Sequence, residues 1–201
     1  MSFIATRGAF SARGFGMMNK LSTNSKTYAT WDPANVGSNI ALSGGNLIAT
    51  SRGVGAAGAV RSTIGHTTGK YYFEITITTG ITSSRVGTEQ ATESLTVNVG
   101  SGAGAWAYQE SNGDQIHSGT SSTYGATYTT GDIIGVALDL DTPALTFYKN
   151  NTSQGSIPGF TVGATTFAAV GASSVGAVFT ANFGATAFTY TPPAGYNAGL
   201  Y

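Results

Sequence analysis

"GDIIGVALDLDTPALTFYKNN", residues 131–151, is the stretch on which the fold turns. Val136, Leu138 and Leu140 recur at every second position, and Asp139 and Asp141 fall on the other phase. Side chains of a strand alternate between its two faces, so this pattern is a half-buried strand with its aspartates opposite the apolar row. It predicts one strand over about 133–141, a second over about 144–149, and a tight turn at "DTPA", 141–144. Pro143 fixes φ and lacks an N–H, so it belongs in the turn and not in a central strand. Asp132 follows Gly131 just before the first strand, where a carboxylate commonly bonds to nearby backbone.

Three aspartates in so short a stretch also raise chemistry. Glycosidases set two carboxylates about 5 to 9.5 Å apart. Two same-face positions of one strand are about 7 Å apart, inside that range. The remaining acids, Asp32, Glu74, Glu89, Glu93, Glu110 and Asp114, form no cluster with them in sequence. A calcium loop would bring more oxygen ligands closer together, and "DLDTP" matches such a loop only in part. The leading reading is therefore the polar side of a hairpin, with no catalytic residue, metal ligand or cofactor assigned. Calcium near Asp139 and Asp141 stays open.

The same alternation extends outward. "KYYFEITIT", 70–78, puts Tyr71, Phe73, Ile75 and Ile77 on one face and Tyr72, Glu74, Thr76 and Thr78 on the other. "SLTVNVG", 94–100, places Leu95, Val97 and Val99 inward; "AVFTANFG", 177–184, and "AFTYTPP", 187–193, read as further strands. Gly, Asn, Pro and Ser clusters interrupt these runs at 43–46, 100–104, 110–114 and 149–155. Many short strands between turn clusters point to a sandwich or barrel. The chain has 29 glycines and no long helical stripe, which argues against helix interiors.

The chain has 201 residues, no cysteine and a formal net charge of zero, and only 9% of its residues are charged. This length buries a substantial core without disulfides or metal. The absence of a basic excess argues against nucleic acid as a partner. No run of about 18 apolar residues occurs, so no membrane insertion is expected. The N-terminus lacks the apolar run of a signal peptide. A charge content far below the usual 25% or so leaves Ser, Thr, Asn and Gly to keep the surface wet, as would suit a packed assembly.

Other candidates are weaker. His66 and His117 are the only histidines; Ser62, Ser118 and Asp114 lie near them, but no G-x-S-x-G elbow accompanies a triad. "GVGAAGAV", 53–60, lacks the strand–helix context of a dinucleotide loop and reads as a loop or bulge. Trp31 and Trp106 read as core residues. Tyr108, Tyr124 and Tyr128 are candidate ligand-binding residues, because tyrosine offers rigid amphipathic contact area.

"GKYYFEI" (69–75), "YG" (124–125), "GDIIGVALDLDTPALTFYKNN" and "ANFGATAFTYTPPAGY" (181–196) together resemble the SPRY domain. "TWDPANVGSNIALSGGNLIATS", 30–51, is similar to the first strands of SPRY domains found in phage proteins. The resemblance covers most of 29–201. It implies a bent antiparallel β-sandwich whose loops form a binding face, with the "LDLD" aspartates in a structural hairpin. The family usually has glycine where "TPA" stands and "NG" where Asn150 and Asn151 stand, which alters turn geometry but not the fold. No loop matches a known ligand pattern, so a fold is implied and a ligand is not.

Residues 1–28 keep neither the strand nor the helix period. Phe3, Phe10 and Phe15 are spaced among Arg7, Arg13 and glycines. Disordered tails are usually poor in such aromatics, so this segment reads as an extended assembly arm ahead of a 29–201 sandwich. "FIATRGAFSARGFG", 3–16, resembles the N-termini of small tailed-phage structural proteins. The expectation is a non-enzymatic virion protein made in the host cytoplasm, a tail or head fibre, spike or decoration component. Its arm would dock on other virion subunits, its SPRY domain would face a host-surface glycan or protein, and it would form a homo-oligomer. A second reading is a soluble SPRY adaptor recognising a peptide, which would work without residues 1–28. A third is a glycan hydrolase, which would need Asp139 or Asp141.

Overall fold

A computed structural model describes residues 25–52 and 57–201. Phe3, Arg7, Phe10, Arg13 and Phe15, on which the arm expectation rests, lie outside the described residues, as do residues 53–56 of the glycine-rich run. The described strands are β1 (Trp31–Val36), β2 (Ile40–Ser43), β3 (Ile48–Ser51), β4 (Gly58–His66) and β5 (Lys70–Thr79). Next come β6 (Arg85–Gln90), β7 (Ala105–Gln109), β8 (Gln115–His117), β9 (Thr120–Ser122) and β10 (Ile133–Asp139). The last are β11 (Ala144–Lys149), β12 (Thr152–Ser156), β13 (Thr166–Ala172), β14 (Val178–Asn182) and β15 (Asn197–Ala198).

They form two sheets. A seven-stranded sheet, here sheet I, runs β1-β4-β13-β6-β7-β8-β9. An eight-stranded sheet, sheet II, runs β12-β11-β10-β5-β14-β3-β2, with β15 added in parallel to β5. All other pairings are antiparallel. The inner faces meet in one core: Phe73, Ile75, Ile77, Val136, Leu138, Phe147 and Phe179 from sheet II pack against Trp31, Val60, Val86, Tyr108 and Val170 from sheet I. Trp31 is fully buried with Phe183 edge-on to it at 5.0 Å, so it plugs the core as its place in the sequence implies.

The hairpin of 131–151 forms as its pattern requires. Val136 pairs Phe147 and Leu138 pairs Leu145 in register. Asp139 Oδ1 accepts the backbone N–H of Asp141 (3.0 Å) and Thr142 (2.9 Å), closing the turn around Pro143. Asp139 Oδ2 pairs with Lys70 Nζ at 2.7 Å. Asp141 Oδ1 accepts the N–H of Gly69 at 2.7 Å. Asp132 accepts from Thr129 N (2.8 Å) and Asn150 Nδ2 (2.6 Å). All three carboxylates are thus engaged in turns, as the hairpin reading holds. At the far turn Asn150 and Asn151 both adopt positive φ, 46° and 69°. Asparagine tolerates this region better than other non-glycine residues, which is how the chain turns without the family's "NG".

Two predicted strands are absent. Residues 94–100 and 187–193 carry alternating side chains but run as turns and irregular chain. The physical reason is the same for both: each lies across the outside of a sheet instead of along its edge. Leu95 and Val99 do point inward, but onto the outer face of sheet I, where they join Ala59, Ala107, Ile116 and Ala169 in a second small core. Val97, between them, faces solvent at 38% exposure. On sheet II the C-terminal segment covers the face of β5 that the alternation assigns to solvent, so Tyr72 and Glu74 are 2% exposed.

Candidate functional site

The residues 91–104 that cross sheet I form a strap between β6 and β7. Its far part meets two other connections, 80–84 and 173–177, at one end of the sandwich. The joint is Asn98, 3% exposed. Its Nδ2 donates to Ser83 O (2.8 Å) and Ser173 Oγ (3.2 Å), and its Oδ1 accepts Val99 N (2.9 Å). Ser173 N donates to Ser83 Oγ at 3.0 Å. Ser51 Oγ donates to Ser174 O, and Ser51 N and Ala177 O are 2.9 Å apart. Arg85 Nη1 holds Val99 O at 3.0 Å. Gly171 lies beneath: a Cβ there would stand 2.7 Å from Asn98 Oδ1 and 2.6 Å from Gly58 O, so only glycine lets the strap sit this close.

On these clamped loops stand Val97 and Val175, the large hydrophobic side chains that are exposed among the described residues, Val175 at 51%. Loops tied together by their own side-chain bonds, each with an apolar group turned outward, offer a candidate contact surface. No motif marks the serines and the asparagine of this region in the sequence. Their signal is only that a Ser/Asn-rich loop flanks each isolated valine.

The tyrosines singled out from sequence serve the interior. Tyr108 is fully buried and its hydroxyl donates to Ala126 O; Tyr128 is 3% exposed and donates to Tyr108 O (2.8 Å) and Ser84 O (3.2 Å). Burial pushes the Tyr128 phenol well above its ordinary pKa. Tyr124 is half-buried, donates to Gly155 O and accepts Phe147 N at 3.1 Å. Together they stitch segment 123–130 between the sheets.

Trp106, read as core, is 5% exposed and stacks on His117 with ring centroids 3.5 Å apart. The pair floors a shallow groove of about 250 Å³ lined also by Gln115, Thr120, Ser122 and Pro158. His117 Nδ1 faces Ala105 O at 3.0 Å, while Asp114 is engaged by Asn112 and Ser121, so the acid of a triad does not reach this histidine. Ser62 Oγ is taken up by Ile64 O and Ala168 N. Tyr28 and residues 184–192 line a second groove, of about 510 Å³. Among the described residues no group of three or more His, Asp or Glu side chains is placed to hold a metal ion, and no helix is long and apolar enough to cross a membrane.

Fold and platform together define an antiparallel sandwich that presents a loop surface at one end. The SPRY domain family matches residues 70–186, more than half of the chain, and the chain belongs to that family. Among curated proteins it is 33% identical over 171 residues to Ran-binding protein 9 of Xenopus laevis, covering 80% of this chain and 31% of that protein. It is 32% identical over 171 residues to human Ran-binding protein 9, and 30% identical over 169 to the Ran-binding proteins 9/10 homolog of Drosophila melanogaster. The chain spans about a third or less of these relatives' length. Among solved structures, the SPRY domain of human HERC1 superposes with a TM-score of 0.66 at 22% identity, covering 75% of this chain and 96% of that one. A further human SPRY domain gives 0.64 at 22% identity, covering 74% and 98%.

These findings overturn the virion reading. The curated relatives named above are animal Ran-binding proteins, not fibre, spike or decoration proteins. That removes virion subunits and a host glycan as partners and the virion as location. The features behind that reading have a local explanation. Low charge and abundant Ser, Thr and Asn serve loops that bond to themselves, as at Asn98, Ser83 and Ser173. Composition of that kind follows from the sandwich's many turns and carries no information about an assembly.

Proposed function

We propose that this chain is a non-catalytic recognition module that binds a peptide segment of a partner protein through the platform of Val97 and Val175. The observation that carries it is the pair of exposed valines on loops that Asn98 clamps together. A clamped platform loses little conformational entropy on binding, so modest apolar contact is enough to give affinity. The relationship to Ran-binding proteins 9 and 10 supports protein recognition, and their name makes Ran the first partner to assay. The division into an arm, 1–28, and a SPRY sandwich, 29–201, remains part of this proposal.

The test is to titrate the full chain with Ran and with linear peptides selected from a display library, comparing wild type with Val97→Asp and Val175→Asp. Surface changes of this kind leave folding stability nearly unaltered. A ligand of the platform loses about tenfold or more in affinity with either substitution, as a hot-spot contact of about 1.4 kcal/mol would. A ligand indifferent to both, and lost instead on Thr120→Asp or Ser122→Asp, would move the site to the Trp106–His117 groove.

A further inference from the structure

Beneath the strap lies a carboxyl that the platform does not use. Glu89 of β6 is 1% exposed, and its Oε2 has no hydrogen-bond partner. It pairs across the outer face of sheet I with Phe167 of β13 and Ala105 of β7. The charged groups facing it are Arg61 from β4 and Glu93 from the strap; β13 carries no titratable side chain, and the one on β7, Tyr108, lies in the core. Arg61 does not pair with Glu89. Its Nη1 donates to the carbonyl of Gln90, where β6 ends and the strap begins (2.7 Å), and to that of Glu93 in the strap (3.2 Å), and its Nη2 to Asn35 Oδ1 (3.2 Å). Arg85, on the same face of β6, is committed to Gln109 Oε1 (2.9 Å) and Val99 O. Glu93 Oε1 accepts the N–H of Gly104 at 2.8 Å.

A buried carboxylate without a partner is costly, so the group keeps its proton. Burial pushes the Glu89 carboxyl up to about 8; Arg61 opposes the shift and Glu93 adds to it. The cation that would stabilise the ionised form is the one that fastens the strap. The two uses compete.

We propose that Glu89 is a proton-operated latch: protonated, it leaves Arg61 bound to the carbonyls of Gln90 and Glu93 at the root of the strap; ionised, it draws Arg61 and water into the seam and frees residues 91–104. The released proton goes to solvent. Because the strap carries Val97 and Asn98, opening dismantles the platform, a consequence that rests on the recognition reading above. Opening itself needs no ligand to be seen.

The experiment is hydrogen exchange on the full chain from about pH 6 to about pH 9, corrected for intrinsic exchange. The reporters are the amides of Ala59, Gln90 and Gly104, which bond to Leu95 O, Gly104 O and Glu93 Oε1. The latch predicts that opening at these amides rises by up to about tenfold per pH unit as pH climbs toward the midpoint and levels off above it, that these amides open more readily than Ile75 in the core throughout, and that Glu89→Gln abolishes the slope. The same slope in wild type and Glu89→Gln overturns it. Should Glu89→Gln fail to fold, an NMR titration of the Glu89 carboxyl carbon in the wild-type chain decides: a raised midpoint upholds the latch and an ordinary glutamate midpoint overturns it. Val97→Asp and Val175→Asp that leave ligand binding intact, with the slope unchanged, would sink the platform and not the latch.

Discussion

Glu74 and Glu89 occupy matching places on the two sheets. Each sits on an outer face, each is covered by irregular chain, and each is buried, at 2% and 1% exposure. Glu74 is fully engaged. It accepts Tyr72 Oη (3.1 Å), Thr189 N (2.9 Å) and Tyr190 N (2.9 Å), and so bolts the C-terminal segment to sheet II. Phe188 adds an edge-on contact to Tyr72 at 5.2 Å. Glu89 has one oxygen without a partner, and its neighbouring cation is spent on the strap. The same residue type at the same depth is fastened by donors on one sheet and left short of them on the other. Hydrogen-bond donors decide which.

The sharpest break in that comparison is Glu74→Ala. It orphans two backbone N–H groups and a phenol, and we expect a loss of about 3 kcal/mol in urea unfolding, with detachment of residues 185–200. Asn98→Ala strikes the strap at its far end. It removes the bonds to Ser83 and Ser173, and should cost about 2 kcal/mol by the same measurement while lowering ligand affinity through a loosened platform. The third test is pH. A glutamate whose folded pKa is raised contributes stability that is full below its unfolded value, near 4.3, and is lost as pH rises through about 8. Wild type should therefore lose about 1.4 kcal/mol between pH 7 and pH 9, and Glu89→Gln should not.

The smallest effect belongs to the hairpin carboxylates, which act with the opposite sign. Burial opposes ionisation of Asp139, but Lys70 and the N–H groups of Thr142 and Asp141 outweigh it and hold the carboxyl below the usual range. Asp132 is held low in the same way by Asn150, Thr129 and Lys149. Their stability is present above the ordinary aspartate pKa and lost as pH falls through the depressed value. Asp139→Asn should therefore flatten the acid limb of a thermal-midpoint profile and leave the alkaline limb, set by Glu89, unchanged.

The hairpin of 131–151 was legible, apart from a first strand that ends at Asp139 and not at 141, because its signals are local. Alternation fixes which side chains face the core, and proline and asparagine fix where the chain turns. The same rule misread 94–100 and 187–193. Alternation reports that every second side chain is buried, but it cannot say whether the burying surface is a partner strand or the outside of a sheet. Leu95 and Val99 satisfy the pattern by packing on Ala59 and Ala169. The candidate site was less legible still. Tyr108 and Tyr128 have the chemistry of a binding surface, yet three-dimensional packing puts them inside, while Asn98 and Ser83 have no distinguishing motif.

What the sequence determined by itself was the class of the protein: an all-β sandwich of the SPRY family, with its strand faces, its turn at Pro143 and its aspartates in structural service. Those features depend on neighbours a few residues apart. What only the tertiary structure decided was the fate of groups whose partners are distant in the chain. Glu74 meets Thr189 across 115 positions, Asn98 meets Ser173 across 75, and Arg61 reaches Glu93 in the strap across 32. Whether a buried carboxyl is satisfied or left to hold its proton depends on such encounters, and no local pattern encodes them.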